Sequence, residues 1–141
     1  RSPEEVYDLV SDITRMGEWS PVCVGCWWDE GDGPRTGAGF TGRNVLPERT
    51  WETHSTVEVA DPGREFAFSV DVSATRWGYT FEPVEGGTLV TESWRFGAGS
   101  FEYFTKRFGD DAPAQIENRR ELARAGMAAT LAAIKAAAEA S

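Results

Sequence analysis

RRELARAGMAATLAAIKAAAEA, residues 119–140, decides how the rest of the chain is read. At helical spacing Ile116, just before it, and then Ala123, Met127, Thr130, Leu131, Ile134 and Ala138 fall on one stripe. Glu117, Glu121, Arg124, Lys135 and Glu139 fall on the opposite side. Pro113, behind Asp110 and Asp111, marks the start: a proline there loses no hydrogen bond, and acidic groups meet the positive end of the helix dipole. Alanine is the best helix former, so this segment is helical with little help from packing. The buried stripe is nevertheless thin. It carries a few medium side chains separated by Ala and Thr, where a filled core has Leu or Phe at every turn. A long helix with a small-residue face has to lie over something, and the question is whether the gap beneath it is filled.

Upstream, from Val22 to Phe96, the hydrophobic period is two. The predicted strands are Val24–Trp28, Phe40–Leu46, Trp51–Val59, Arg64–Asp71, Arg76–Glu82 and Thr88–Phe96. They are separated by a Gly-rich connection, Asp29–Gly39, and by turn signals at Pro47-Glu48-Arg49, Asp61-Pro62-Gly63 and Glu85-Gly86-Gly87. In the third strand Trp51, Thr53, Ser55, Val57 and Val59 share one face, with Glu52, His54, Thr56 and Glu58 on the other. Phe66, Phe68 and Val70 point inward from the fourth, and Trp77, Tyr79 and Phe81 from the fifth. The sixth contributes Val90, Trp94 and Phe96, with Glu92 among them. Short strands joined by tight turns give an antiparallel meander with one apolar face. The C-terminal helix is the only element long enough to cover it.

Two further pieces complete the pattern. Ser2-Pro3-Glu4-Glu5 is a capping box with Pro at the first helical position, and Val6, Leu9, Val10 and Ile13 follow at helical spacing. Phe101, Phe104 and Phe108 repeat in a Gly-flanked segment before the long helix, which predicts a short helical flap near one end of the groove. Helix, run of strands, helix is an α+β order. At 141 residues, without repeat or linker, the chain reads as a single domain over 1–141. The net charge of −9 argues against nucleic acid and anionic membrane surfaces, which need basic patches. No apolar run approaches the roughly 20 residues of a membrane span, and no signal peptide is visible, so a cytoplasmic location is expected. Two Cys do not make a disulfide framework.

The chain resembles the helix-grip superfamily of START-like, SRPBCC, polyketide cyclase/dehydrase and lipid-transport proteins, and more narrowly the small actinobacterial SRPBCC proteins. The residues that carry the resemblance are SPEEVYDLVSD, MGEWSP, GAGFTGRN, VADPGREFAFSV, RWGYTFEPVEGGTLVTESW and GMAATLAAIKAAAE, in the family's order. The resemblance implies a curved antiparallel sheet of about six or seven strands gripping the long C-terminal helix, with a cavity between them. It also implies a strand before the first helix; the sequence begins at the helix cap, so either that strand lies before Arg1 or the sheet has one strand fewer. A sheet one strand short would leave its edges open to a partner, a homodimer included.

The inward faces and the helix combine into one candidate cavity: Asn44, Trp51, Thr53, Ser55, Phe68, Val70, Trp77, Tyr79, Glu92, Trp94, Phe104, Met127 and Leu131. These residues read either as a filled core or as a small-molecule pocket with apolar walls and a few placed polar groups. Asn44, Thr53, Ser55, Tyr79 and Glu92 are many polar side chains for a dry core. Glu92 is the sharpest of them. A carboxyl among Val90, Trp94 and Tyr79 has its pKa raised and suits general acid or base work, with Tyr79 as the second candidate. The alternative is an ion pair with Arg43 or Arg76. Cys23-Val24-Gly25-Cys26 has redox spacing, but it lies at the start of a strand, where side chains alternate faces, so two buried small residues are expected. No metal and no cofactor is expected: a zinc site needs about four ligands, and His54, the one histidine, is predicted outward on another strand. The Gly-rich connection spells neither a phosphate loop nor a dinucleotide fingerprint. Three functions remain: a binding protein for a hydrophobic, lipid-like or polyketide-like molecule; a cyclase or dehydratase using Glu92 and Tyr79; and a protein-interaction domain with a vestigial pocket.

Overall fold

The computed structural model describes residues 1–31, 33–97 and 99–140, so Asp32 of the predicted Gly-rich connection lies outside the described residues. The chain opens with α1, Pro3–Ser11, whose capping box forms as the sequence requires. The Glu5 backbone N–H donates to Ser2 Oγ (3.2 Å), and the Ser2 N–H donates to a Glu5 carboxylate oxygen (3.1 Å). A 3₁₀ segment, Ile13–Glu18, follows, started by Asp12 accepting from the Thr14 N–H. Six strands come next: β1 Cys23–Trp28, β2 Gly39–Leu46, β3 Arg49–Asp61, β4 Glu65–Val70, β5 Thr75–Val84 and β6 Gly87–Phe96. They form one curved antiparallel sheet in the order β1-β2-β3-β4-β5-β6. The chain then enters α2, Ser100–Phe108, and the 28-residue α3, Ala112–Glu139. This is the α+β helix-grip arrangement that the sequence implies. Among the described residues no helix is long and apolar enough to cross a membrane.

Two β-bulges change which side chains face inward. One falls between Cys23 and Gly25 in β1, the other between Val57 and Val59 in β3. An extra residue shifts the alternation by one. Beyond the second bulge Ala60, paired with Phe66, packs against the core. Val59 pairs instead with Ala67, so the expectation that Val59 shares the face of Trp51, Thr53, Ser55 and Val57 is corrected.

The packed core sits toward one end of the sheet. Val6, Tyr7 and Val10 of α1, with Ile13 and Trp19, press onto Phe40, Val57, Phe66, Phe68 and Phe81. Tyr7 meets Phe66 and Phe81 edge-on, with ring centres 6.4 and 5.8 Å apart, and Phe40 meets Phe68 at 5.0 Å. From α3 this cluster takes Ile134, with Ala133 against its rim. The C-terminal end of α3 is also held by Arg1, whose guanidinium donates to the carbonyls of Ala138 (2.7 Å) and Ala140 (3.1 Å), as suits a cation at the negative end of a helix. The other end rests on a separate aromatic group, in which Phe104 of α2 packs on Phe96 (5.5 Å) and stacks on Phe108 (5.7 Å). Among the strands α3 lies close along β6, whereas α1, a third of its length, lies close over β4, β5 and β6. The long helix is thus supported near its two ends.

Ile134→Ala removes the one α3 side chain seated fully in the core and is expected to destabilise the protein by ~2–5 kcal/mol. Leu122→Ala, on the exposed side of the same helix, is expected to cost less than about 0.5 kcal/mol. Urea denaturation of the two variants checks the contrast.

Candidate functional site

The middle of the concave face is assembled by cross-strand pairing. Trp77 of β5 lies opposite Trp94 of β6, with ring centres 6.3 Å apart, and Tyr79 lies opposite Glu92. On the other side of the sheet's arch, Asn44 pairs with Trp51 and Gly42 with Thr53. The Asn44 side-chain amide donates to Thr53 Oγ1 (3.2 Å). Asn44, Trp51, Thr53, Trp77, Glu92 and Trp94 are all half-buried, as are Met127 and Leu131 of α3. The remaining predicted cavity residues are placed differently. Phe68 belongs to the packed core beside Phe40, Ser55 is buried on the face that continues into it, and Phe104 is buried as the anchor of α2. Val70, at the end of β4, borders a broad depression that also takes in Ser69, Arg76 and Arg95.

Glu92 carries the sharpest chemistry. The Tyr79 hydroxyl donates to one carboxylate oxygen (2.9 Å), while the other, Oε1, is buried with no hydrogen-bond partner among the described residues. Neither arginine considered as a partner reaches it: Arg43 pairs with Glu52 (3.2 Å), and Arg76 pairs with Glu58 (3.1 Å) and Glu65 (3.3 Å). Burial pushes the Glu92 carboxyl up to about 7, against a smaller opposing effect of the Tyr79 hydrogen bond. Tyr79 itself is raised well above its ordinary value, first by burial and then by the carboxylate beside it. The pair therefore holds a proton that can be taken up or released near neutrality, beside one buried oxygen with no partner among the described residues.

Elsewhere the outcome is mixed. Cys23 and Cys26 are buried as expected, but not on alternate faces. The bulge at Val24 turns both inward, opposite Asn44 and Gly42, with their Sγ atoms 3.1 Å apart and Met16 Sδ 3.7 Å from Cys26 Sγ. Hydrogen bonding from Cys26 lowers the Cys23 thiol to about 7, while the same contact and burial raise Cys26. His54 is outward and half exposed, between Asp29 (2.6 Å from Nε2) and Asp71, whose carboxylates raise its pKa. Among the described residues no three His, Cys, Asp or Glu side chains converge on a possible metal position. The residue that the sequence reading passes over is Arg119. It lies half-buried on the sheet-facing side of α3, 5.8 Å from the centre of the Phe104 ring. The available signal was its place three residues beyond Ile116 and four before Ala123 on the apolar stripe.

A family model described as "Polyketide cyclase / dehydrase and lipid transport" matches residues 1–139. A polyketide-cyclase-like protein from Corynebacterium glutamicum is 55% identical; the alignment covers 94% of this chain and 82% of that one, with a TM-score of 0.68. The di-domain aromatase/cyclase StfQ of the steffimycin biosynthetic pathway is 13% identical over 96% of this chain and 46% of its own, with a TM-score of 0.67. An AHSA1-like protein from Aeromonas hydrophila is 15% identical over 98% and 88%, with a TM-score of 0.66. The last two similarities show the fold alone. No curated protein matches the chain.

The Glu92 environment fixes a pH dependence. With a native pKa of about 7 against an ordinary 4.5, the folded chain holds a proton that the unfolded chain has lost between those values, so ionisation costs stability as pH rises through that window. Wild type is expected to lose on the order of 2 kcal/mol relative to Glu92→Gln between pH 4.5 and 8. Urea midpoints of both proteins across that range read the difference.

Proposed function

Because the chain belongs to the polyketide cyclase/dehydrase and lipid transport family, we infer that it binds a hydrophobic, lipid-like or polyketide-like molecule between the concave face of its sheet and the middle of α3. The observation that carries this reading is where the packing stops. Ile134 and Ala133 join the core cluster, but Met127 and Leu131 do not, although Ala123 and Thr130 beside them are buried, and Trp94 of β6 stays half-buried outside it. Large aromatic surfaces beneath a helix are normally consumed by packing. Here they remain partly exposed, with half-buried Asn44 and Thr53 and the buried, unpartnered Glu92 oxygen among them. That is the composition of a small-molecule site: apolar walls for affinity, at about 25 cal/mol per Å² removed from water, and a few polar atoms for orientation.

A second reading is favoured by one observation. A carboxyl that ionises near neutrality, with a buried phenol at 2.9 Å, is the equipment of a cyclase or dehydratase, in which Glu92 takes or gives a proton and Tyr79 holds the developing oxyanion. The two readings share a groove and differ in what happens inside it.

A hydrophobic fluorescent dye is expected to bind saturably and quench the Trp emission, and Leu131→Trp to reduce that uptake at least about tenfold by filling the space, with the far-UV circular dichroism unchanged. Absence of saturable uptake contradicts the groove. For the enzymatic reading, Glu92→Gln is expected to lower turnover of an aromatisable polyketide by about 10²–10⁴-fold while binding survives. Equal turnover excludes the role.

A further inference from the structure

We propose that the α2 end of this groove is a binding site for the anionic head of an amphiphilic ligand, a carboxylate or a phosphate, received by Arg119 with Arg49 and Arg107 beside it; this deepens the groove reading and rests on it. Two arginines border the sheet-facing stripe of α3: Arg119, which is half-buried, and Arg120, which is exposed and lies 5.7 Å from the centre of the Phe96 ring. The Arg119 guanidinium lies over Phe104, Phe104 stacks on Phe108 at 5.7 Å, and Arg107 lies 5.3 Å from the centre of the Phe108 ring. Arg49, the exposed first residue of β3, lies 4.2 Å from the centre of the Trp51 ring. Two elements far apart in sequence therefore present guanidinium groups on an aromatic floor at one end of the groove.

None of the ion pairs among the described residues involves Arg49, Arg107 or Arg119. The next residue round the helix, Arg120, does have a partner, Glu117 at 3.6 Å. In a chain with 23 acidic and 14 basic residues, leaving this group unpaired runs against the overall charge. Burial and then the field of Arg49 lower the Arg119 pKa, with a smaller contribution of Arg107 and against an opposing effect of Tyr103, so the site carries a desolvation and repulsion cost in the free protein. An anion recovers that cost. The planar guanidinium fork matches carboxylate and phosphate oxygens, and a stacked guanidinium is already oriented.

The polarity along the groove sets the ligand's direction. Phe96, beneath α2, and Glu92 are four residues apart on β6, about 13 Å at strand spacing. The ionised Glu92 repels an acid at the deep end, the arginines attract it at the α2 end, and Trp94 lines the stretch between them. An apolar body with an acidic head thus enters in one orientation, tail toward Tyr79 and Glu92.

Calorimetric titration of the whole chain with sodium dodecanoate, methyl dodecanoate and monododecyl phosphate at pH 8 tests this. Wild type is expected to bind the two anions about ten- to a hundredfold tighter than the neutral ester, and the tighter of the two identifies the head group. Arg119→Gln is expected to abolish that preference while ester binding is retained. The exposed pair Arg49→Gln/Arg107→Gln, whose fold is checked by far-UV circular dichroism, is expected to reduce the preference about threefold and to flatten its salt dependence. Equal binding of acid and ester by wild type, or a preference that survives in Arg119→Gln, overturns the anion site and leaves the groove standing. No uptake of any of the three overturns both.

Discussion

The structure depends on a stiff helix held at two points. α3 spans 28 residues, about 42 Å, and its alanine-rich sequence makes it helical without continuous support. At the C-terminal end Ile134 is seated in the core and Arg1 binds the last carbonyls. At the N-terminal end the Phe96, Phe104 and Phe108 group fixes α2 beneath it. Between these supports the stripe is Ala123, Met127, Thr130 and Leu131, small or medium side chains of which Ala123 and Thr130 are buried and Met127 and Leu131 half-buried. A helix that needed packing along its whole length would either collapse onto Trp77 and Trp94 or bend. One that does not can bridge.

The same division separates stability from function. The tightly packed half of the sheet, under α1 and the 3₁₀ segment, contains aromatic pairs in edge-on contact and little polarity. At the edge of that cluster, where Tyr79 meets Glu92, and beyond it lie groups that cost free energy where they are: a carboxyl with one buried, unpartnered oxygen, the phenol bound to it, and a half-buried arginine with no carboxylate partner among the described residues. Such groups persist in a folded protein when something other than folding uses them. Family membership sets the frame for that use, and the placement of Glu92, Tyr79 and Arg119 gives it local chemistry.

Much of this was legible in the residues. The capping box of α1, the six strands, and the facing of Trp77 against Trp94 and Tyr79 against Glu92 follow from period and turn chemistry, because those strands alternate without interruption. Two of the failures share one cause: a bulge leaves little signature in the side chains. Val24 and Glu58 are ordinary strand residues, yet the shift at each decides that Cys26 joins Cys23 on one face and that Ala60 replaces Val59 in the core. Phe68 and Phe104 have the right parity for a cavity and are consumed by packing, which depends on neighbours that periodicity does not see. Arg119 was hidden for the opposite reason. A charge on an apolar stripe reads as a helix end, and only the aromatic floor beneath it shows where it points.

The claim underlying all of this is that the middle of α3 stands clear of the concave face. Methyl–aromatic nuclear Overhauser effects from a sample carrying ¹³C-methyl methionine measure it directly. The account predicts no strong cross-peak between the Met127 methyl and the indole protons of Trp77 or Trp94 in the free protein, with new contacts to an added apolar guest. Strong Met127–Trp77 and Met127–Trp94 cross-peaks in the free protein, unchanged by any guest, would mean that the helix lies flat on the sheet and that there is no groove.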